Sequence, residues 1–98
     1  NFADDFLNKI YDSLSTLDED TAEVDMTDGV LVISLLKTSE KIIINRQRAA
    51  HQLWMAAARQ AWHFDWVPET KKWIERKNGA ELHETLQVML KSMMNVVI

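Results

Sequence analysis

The stretch from Glu40 to Trp66, EKIIINRQRAAHQLWMAAARQAWHFDW, decides the fold of this chain. Its opening is plain: the β-branched run Ile42-Ile43-Ile44 predicts a strand over Lys41 to Asn45. Asn45-Arg46-Gln47 then reads as a polar corner. The middle is open to two readings. Ala49, Ala50, Ala56, Ala57, Ala58 and Ala61, with Gln52, Leu53 and Met55, score well for helix. If Gln52 to Ala57 is instead a strand, Leu53 and Met55 point to one face and Gln52 and Trp54 to the other.

Working outward toward the N-terminus, Lys37-Thr38-Ser39-Glu40 is a polar turn and Val30 to Leu36 a second apolar run. Thr27-Asp28-Gly29 separates that run from Glu23 to Met26, and Asp-Gly between apolar runs is a strong hairpin signal. Before it, Phe2, Phe6, Ile10, Leu14 and Leu17 recur with helical period, predicting an amphipathic helix in Asn1 to Leu17. Asp5, Asp12 and Glu19 are spaced by seven on its outer side, with Asp4 and Asn8 beside them, and Asp18-Glu19-Asp20-Thr21 ends the period.

Toward the C-terminus, Trp62 to Trp66 reads as a strand, Val67-Pro68-Glu69-Thr70 as a turn and Lys72 to Glu75 as a short strand. Asn78-Gly79-Ala80-Glu81 has the form of a helix start, with Asn78 the expected cap and Glu81 reaching back. Leu82, Leu86, Met89, Leu90 and Met93 then share one helical face.

Composition narrows the function. The 98 residues suit a single domain over 1–98, and 47% hydrophobic residues with two Gly and one Pro oppose disorder. A net charge of -4 opposes binding to a phosphate backbone, so no nucleic-acid partner is expected. Without Cys, a metal here would need oxygen or imidazole ligands. No apolar run approaches the roughly 20 residues of a membrane span, so no membrane association is expected. His51, His63 and His83 have no metal-ligand spacing among themselves, and each is expected to be surface or satisfied core. No Gly-rich phosphate loop or nucleophile–base pair is recognisable.

The run Ile43-Ile44-Asn45-Arg46-Gln47, then His51-Gln52-Leu53-Trp54, and the closing His63-Phe64-Asp65-Trp66 together resemble the central sheet of the frataxin family. The likeness extends from the acidic first helix through Gly29-Val30-Leu31 to Asn78-Gly79-Ala80-Glu81-Leu82-His83-Glu84-Thr85-Leu86. It departs at Arg48-Ala49, where the family commonly has Pro, and at Ala58-Arg59-Gln60-Ala61, where it commonly has a Gly- or Pro-bearing loop. The resemblance implies that Gln52 to Ala57 is a strand despite its helix propensity. It implies an α+β two-layer sandwich: an antiparallel sheet of about five to six strands, with N- and C-terminal helices packed on one face.

Members of that family resemble one another as accessory proteins of iron–sulfur cluster assembly. The implied role is weak iron binding and docking on the complex of cysteine desulfurase and scaffold protein, regulating sulfur transfer or supplying iron. The protein is then not a conventional enzyme, with weak ferroxidase activity allowed by the same resemblance. The implied metal positions are Asp4, Asp5, Asp12, Glu19, Asp20, Glu23 and Asp25, and the implied partner-binding positions Asn45, Gln47 and Trp54. A monomer is expected, with metal-dependent oligomers allowed. The expected compartment is the mitochondrial matrix, because Leu82-His83-Glu84-Thr85-Leu86 looks mitochondrial and the missing Met fits a removed transit peptide; the alternative is the bacterial cytoplasm.

Plainer readings stand beside these. An acidic helix face is commonly just solubilising. Trp54, if outward, is an interface anchor worth about 2 kcal/mol, or else packs with Trp62, Trp66 or Trp73. Two other functions fit the residues: an iron oxidation and storage protein working through oligomers, and an acidic interaction module indifferent to iron. In the second case calcium or magnesium should compete as well as iron. Substituting Asp5, Asp12 and Glu19 together separates these readings.

Overall fold

A computed structural model of the chain describes residues 2–15, 22–36, 40–47, 50–57, 60–75 and 77–94, apart from the side chains of Phe2 and Met94. Helix α1 spans Phe2–Leu14 and helix α2 Leu82–Met94. Between them run β1 (Ala22–Thr27), β2 (Val30–Leu35), β3 (Lys41–Gln47), β4 (Gln52–Ala57), β5 (Gln60–Val67) and β6 (Lys72–Ile74). Each strand pairs antiparallel with the next, in the order β1-β2-β3-β4-β5-β6. The expected α+β sandwich is therefore the observed one. Leu17, Glu19 and Asp20, and the loop positions Arg48, Ala49, Ala58 and Arg59, lie outside the described residues.

Pleating sorts the side chains. One row on the inner face runs Met26–Leu31–Ile44–Met55–Trp62 across five strands, and a neighbouring row runs Arg46–Leu53–Phe64. The apolar members of these rows, with Ile33, Ile42 and Trp73, bury against Ala3, Leu7, Ile10 and Leu14 of α1 and Leu82, Leu86 and Leu90 of α2. Both helices share one core with one sheet face, so among the described residues the opposite face is bare. A strand register slipped by one residue would turn this apolar set to solvent, which is why the register is strongly specified.

Strands β1, β2 and β5 differ from expectation by one or two residues at one or both ends, and four departures have a visible cause. Asn45-Arg46-Gln47 is not a corner but the end of β3, held by the pairs Asn45↔Trp54, Arg46↔Leu53 and Gln47↔Gln52. Strand β5 begins at Gln60 rather than Trp62, since Gln60 and Ala61 still pair with Ala57 and Ala56. Strand β6 stops at Ile74, where Glu75 turns instead to donate its N–H to the Ala80 carbonyl at 2.8 Å.

The fourth is the cap of α2. Glu81, not Asn78, caps it: its Oε2 accepts the His83 N–H at 2.8 Å and its Oε1 the Glu84 N–H at 3.0 Å. Asn78 closes a local turn by accepting the Ala80 N–H at 2.9 Å. The bridge Ile74↔Glu81 keeps the chain extended through Glu81, so helical geometry starts one residue later.

Candidate functional site

The bare face of the sheet carries one candidate surface. A row on it runs Thr27–Val30–Asn45–Trp54–His63, each residue directly opposite the next on the neighbouring strand. A parallel row holds Gln47, Gln52, Asp65 and Ile74. The three partner-binding positions read from the resemblance, Asn45, Gln47 and Trp54, therefore meet on one face.

Trp54 is held there rather than loose. Its indole stacks on His63 with centroids 4.1 Å apart and planes 13° apart. Its Nε1–H donates to Gln52 Oε1 at 2.7 Å, and Gln52 Nε2 donates to Asp65 Oδ1 at 3.1 Å. The side chain is still 36% exposed. A large aromatic fixed in one orientation and left open loses little conformational freedom when a partner covers it, which favours an interface anchor. Its packing partner is His63, while Trp62 and Trp66 lie against the core and Trp66 stacks obliquely on Trp73 at 5.3 Å. Sequence reading turned Gln52 to the face of Trp54 but missed His63 and Asp65; alternation of β5 gives their face, and only the register places them beside Trp54 and Gln52.

The acidic residues form a second, looser surface. Asp5 and Asp12 sit on the exposed side of α1, opposite the buried stripe, and Glu23 and Asp25 on exposed positions of the edge strand β1. A groove of about 520 Å³ between α1 and β1 is bordered by Tyr11, Ser15, Glu23 and Asp25. Asp5 also borders a different groove, with Lys9, Lys71 and Lys72.

Asp4 stands apart. It lies 100° around the helix from Asp5 and hydrogen-bonds Nη1 of Arg46. Nη2 of the same guanidinium donates to Asp28 Oδ1 at 3.2 Å. The Arg46 side chain is 8% exposed, against 39% for Asp4 and 91% for Asp28. Gly29 has φ +74°, so the turn favours glycine for its backbone, and a Cβ there would lie 2.9 Å from Nη2 and push the guanidinium aside.

Carboxylate oxygen suits iron in either common oxidation state. Asp5, Asp12, Glu23 and Asp25 fit such a group as solvated single contacts, with water completing the shell. Asp4 differs from these four, because its Oδ1 is engaged by Arg46. Among the described residues no three His, Asp or Glu side chains converge into a metal cluster, so tight binding has no built cage there.

The helix dipole divides the same residues. Asp4 and Asp5 lie in the first turn of α1, where negative charge is favourable, but Asp12 lies in the last turn, which holds no basic residue. Asp12→Asn is expected to raise stability by about 0.3–1 kcal/mol. Urea denaturation checks this, and a lower midpoint would count against it.

Comparison with known proteins gives the family. The family model described as a frataxin-like domain matches residues 1–96. A protein of Tolumonas auensis named iron-sulfur cluster assembly protein CyaY is 39% identical over 65% of this chain, which spans 59% of that relative. The proteins of the same name from Thioalkalivibrio sulfidiphilus and Shewanella sp. (strain ANA-3) are both 34% identical, over 82% and 87% of this chain and 69% and 78% of their own lengths. These relatives are bacterial, which favours the bacterial alternative; nothing in them supports the mitochondrial expectation. Among solved structures, frataxin from Psychromonas ingrahamii superposes with TM-score 0.86 at 25% identity, covering 99% of this chain and 89% of that one. Yeast frataxin gives 0.77 at 25% identity, covering 93% and 76%. With a family match over nearly its whole length and a six-stranded sheet backed by two helices as in those structures, the chain belongs to the frataxin-like family.

Proposed function

We propose that this protein is an accessory factor of iron–sulfur cluster assembly in the bacterial cytoplasm, acting by docking rather than by catalysis. Its partners are the cysteine desulfurase and the scaffold protein, whose sulfur transfer it regulates. The observation that carries this reading is Trp54, exposed yet fixed by His63 and Gln52, in a row with Asn45 on a sheet face that neither α1 nor α2 covers. The names of the curated relatives support the assembly role, and the sheet face supplies an interface of the right chemistry: an aromatic anchor ringed by amides.

The acidic side of α1 and β1 is the second part of the proposal. Asp5, Asp12, Glu23 and Asp25 make weak, water-supplemented contact with iron, and Glu19 and Asp20 would extend the set. The same charge steers the protein toward basic partners whether or not metal is bound.

The deciding experiment is the rate of sulfide production by a matched desulfurase–scaffold complex, with this protein and with Trp54→Ala. The protein is expected to change the rate and the variant to lose that change, a loss of about 2 kcal/mol of binding, or some thirtyfold in affinity. Because Trp54 lies outside the core and is 36% exposed, the variant should stay folded, which its circular dichroism checks. No change with either protein, in a competent complex, would sink the docking reading and favour iron storage by oligomers.

A further inference from the structure

We propose that Arg46 is a built-in counter-cation that closes the Asp4–Asp28 end of the acidic surface to metal ions, confining metal contact to the carboxylates further along α1 and β1. The inference rests on the metal-contact part of the proposed function and changes its boundary. By sequence spacing alone Asp4 belongs with Asp5 and Asp12, but the fold withdraws it.

Arg46 follows Ile42 and Ile44 on the inward-facing side of β3, so its side chain is sent toward the helices instead of the open face that receives Asn45 and Gln47. From there the guanidinium reaches two carboxylates from different parts of the chain, Asp4 in the first turn of α1 and Asp28 in the β1–β2 turn. It rests against Gly29, at a distance that any side chain on that residue would violate. Asp4, Asp28 and Gly29 also line a groove of about 370 Å³ with Asn8 and Thr27, so solvent and ions have access to the rim.

A guanidinium is charged at every pH a folded protein meets, and its planar fork can hold two carboxylates at once. A divalent ion that took Asp4 would have to displace a nearly buried cation and leave it without its closest partner. Among the described residues no ion pair engages Asp5, Asp12, Glu23 or Asp25, so an ion there has no such contact to break. The geometry thus assigns Arg46 the role of a specificity-determining residue, acting on metal placement without touching metal.

The test uses Mn²⁺, an oxygen-preferring paramagnetic ion, added in small amounts to the ¹⁵N-labelled protein, with relaxation enhancement read at each backbone amide. Gly29 and Asp25 are separated by roughly 10 Å of strand and turn, enough for an inverse-sixth-power effect to tell them apart. In the native protein the enhancement at Gly29 is expected to be at most one third of that at Asp25. In Arg46→Gln it is expected to rise at least threefold at Gly29, and Asp28→Asn in that background should remove the gain.

Equal enhancement at Gly29 and Asp25 in the native protein would overturn the proposal, as would a folded Arg46→Gln variant with no gain at Gly29. The spectrum itself reports folding. Should Arg46→Gln not fold, Arg46→Met, which keeps the apolar stem, gives the same readout. Gain at Gly29 in the variant with no enhancement at Asp12 or Asp25 in either protein would support the role of Arg46 while removing the rest of the acidic surface from the proposed function.

Discussion

Leu53→Ala lowers the free energy of unfolding by about 2–5 kcal/mol, read as a fall in the urea midpoint with an unchanged slope. Leu53 is fully buried on the inner face of β4, between Arg46 of β3 and Phe64 of β5. Truncation removes contact with Phe64 and the Arg46 stem and leaves a cavity in the core, because neighbours held in a sheet on either flank relax little. The substitution also improves helix propensity, so the loss would arise in spite of local preference. A companion change gives the sign directly. Ala56 lies on the exposed face of the same strand, opposite Ile43 and Ala61. Ala56→Val should stabilise by a few tenths of a kcal/mol in a strand, whereas in a helix it would cost about 0.5 kcal/mol. A lower midpoint for Ala56→Val would contradict the strand.

That segment marks the limit of what the residues alone disclose. Both helices, the Asp28-Gly29 hairpin and the Ile42–Ile44 strand are written in local patterns, an apolar period of 3.6 or a turn dipeptide between apolar runs. Gln52 to Ala57 is not, because its alanines satisfy a helix as readily as a strand, and the preference is settled by two flanking strands that exist only in the folded chain. The cap of α2 went to Glu81 for a similar reason: the tertiary bridge from Ile74 holds the chain extended past the residue that local rules favour. On the sheet face, alternation already turned Trp54 outward. His63 and Asp65 came into view only through register, which depends on the short connection from Ala57 to Gln60. The opposite holds for Arg46. Its parity with Ile42 and Ile44 sends it inward, a signal present in the sequence that reading Asn45-Arg46-Gln47 as a corner concealed.

Asp4→Asn costs about 1.5–3 kcal/mol, while Arg46→Met costs less than about 1 kcal/mol, although both break the same contact. The asymmetry follows from which partner is left behind. Removing the Asp4 charge strands a guanidinium that is 8% exposed, leaving it Asp28, a carboxylate 91% exposed and weakened by solvent screening. It also takes a negative charge from the first turn of α1, worth a further few tenths. Removing Arg46 leaves carboxylates that water reaches, and Met fills much of the space of the lost stem against Leu53 and Gly29. The two acidic substitutions on α1 are then expected to move stability in opposite directions, Asp12→Asn up and Asp4→Asn down, although a solubilising or uniformly repulsive face would move both the same way. Urea midpoints of Asp4→Asn, Arg46→Met and the double variant form a cycle. A double variant losing clearly less than the sum of the two single losses is the expected outcome, since the larger part of the Asp4 effect runs through the guanidinium. Additive losses would show that Asp4 acts through the helix end instead, and that the pair is not coupled.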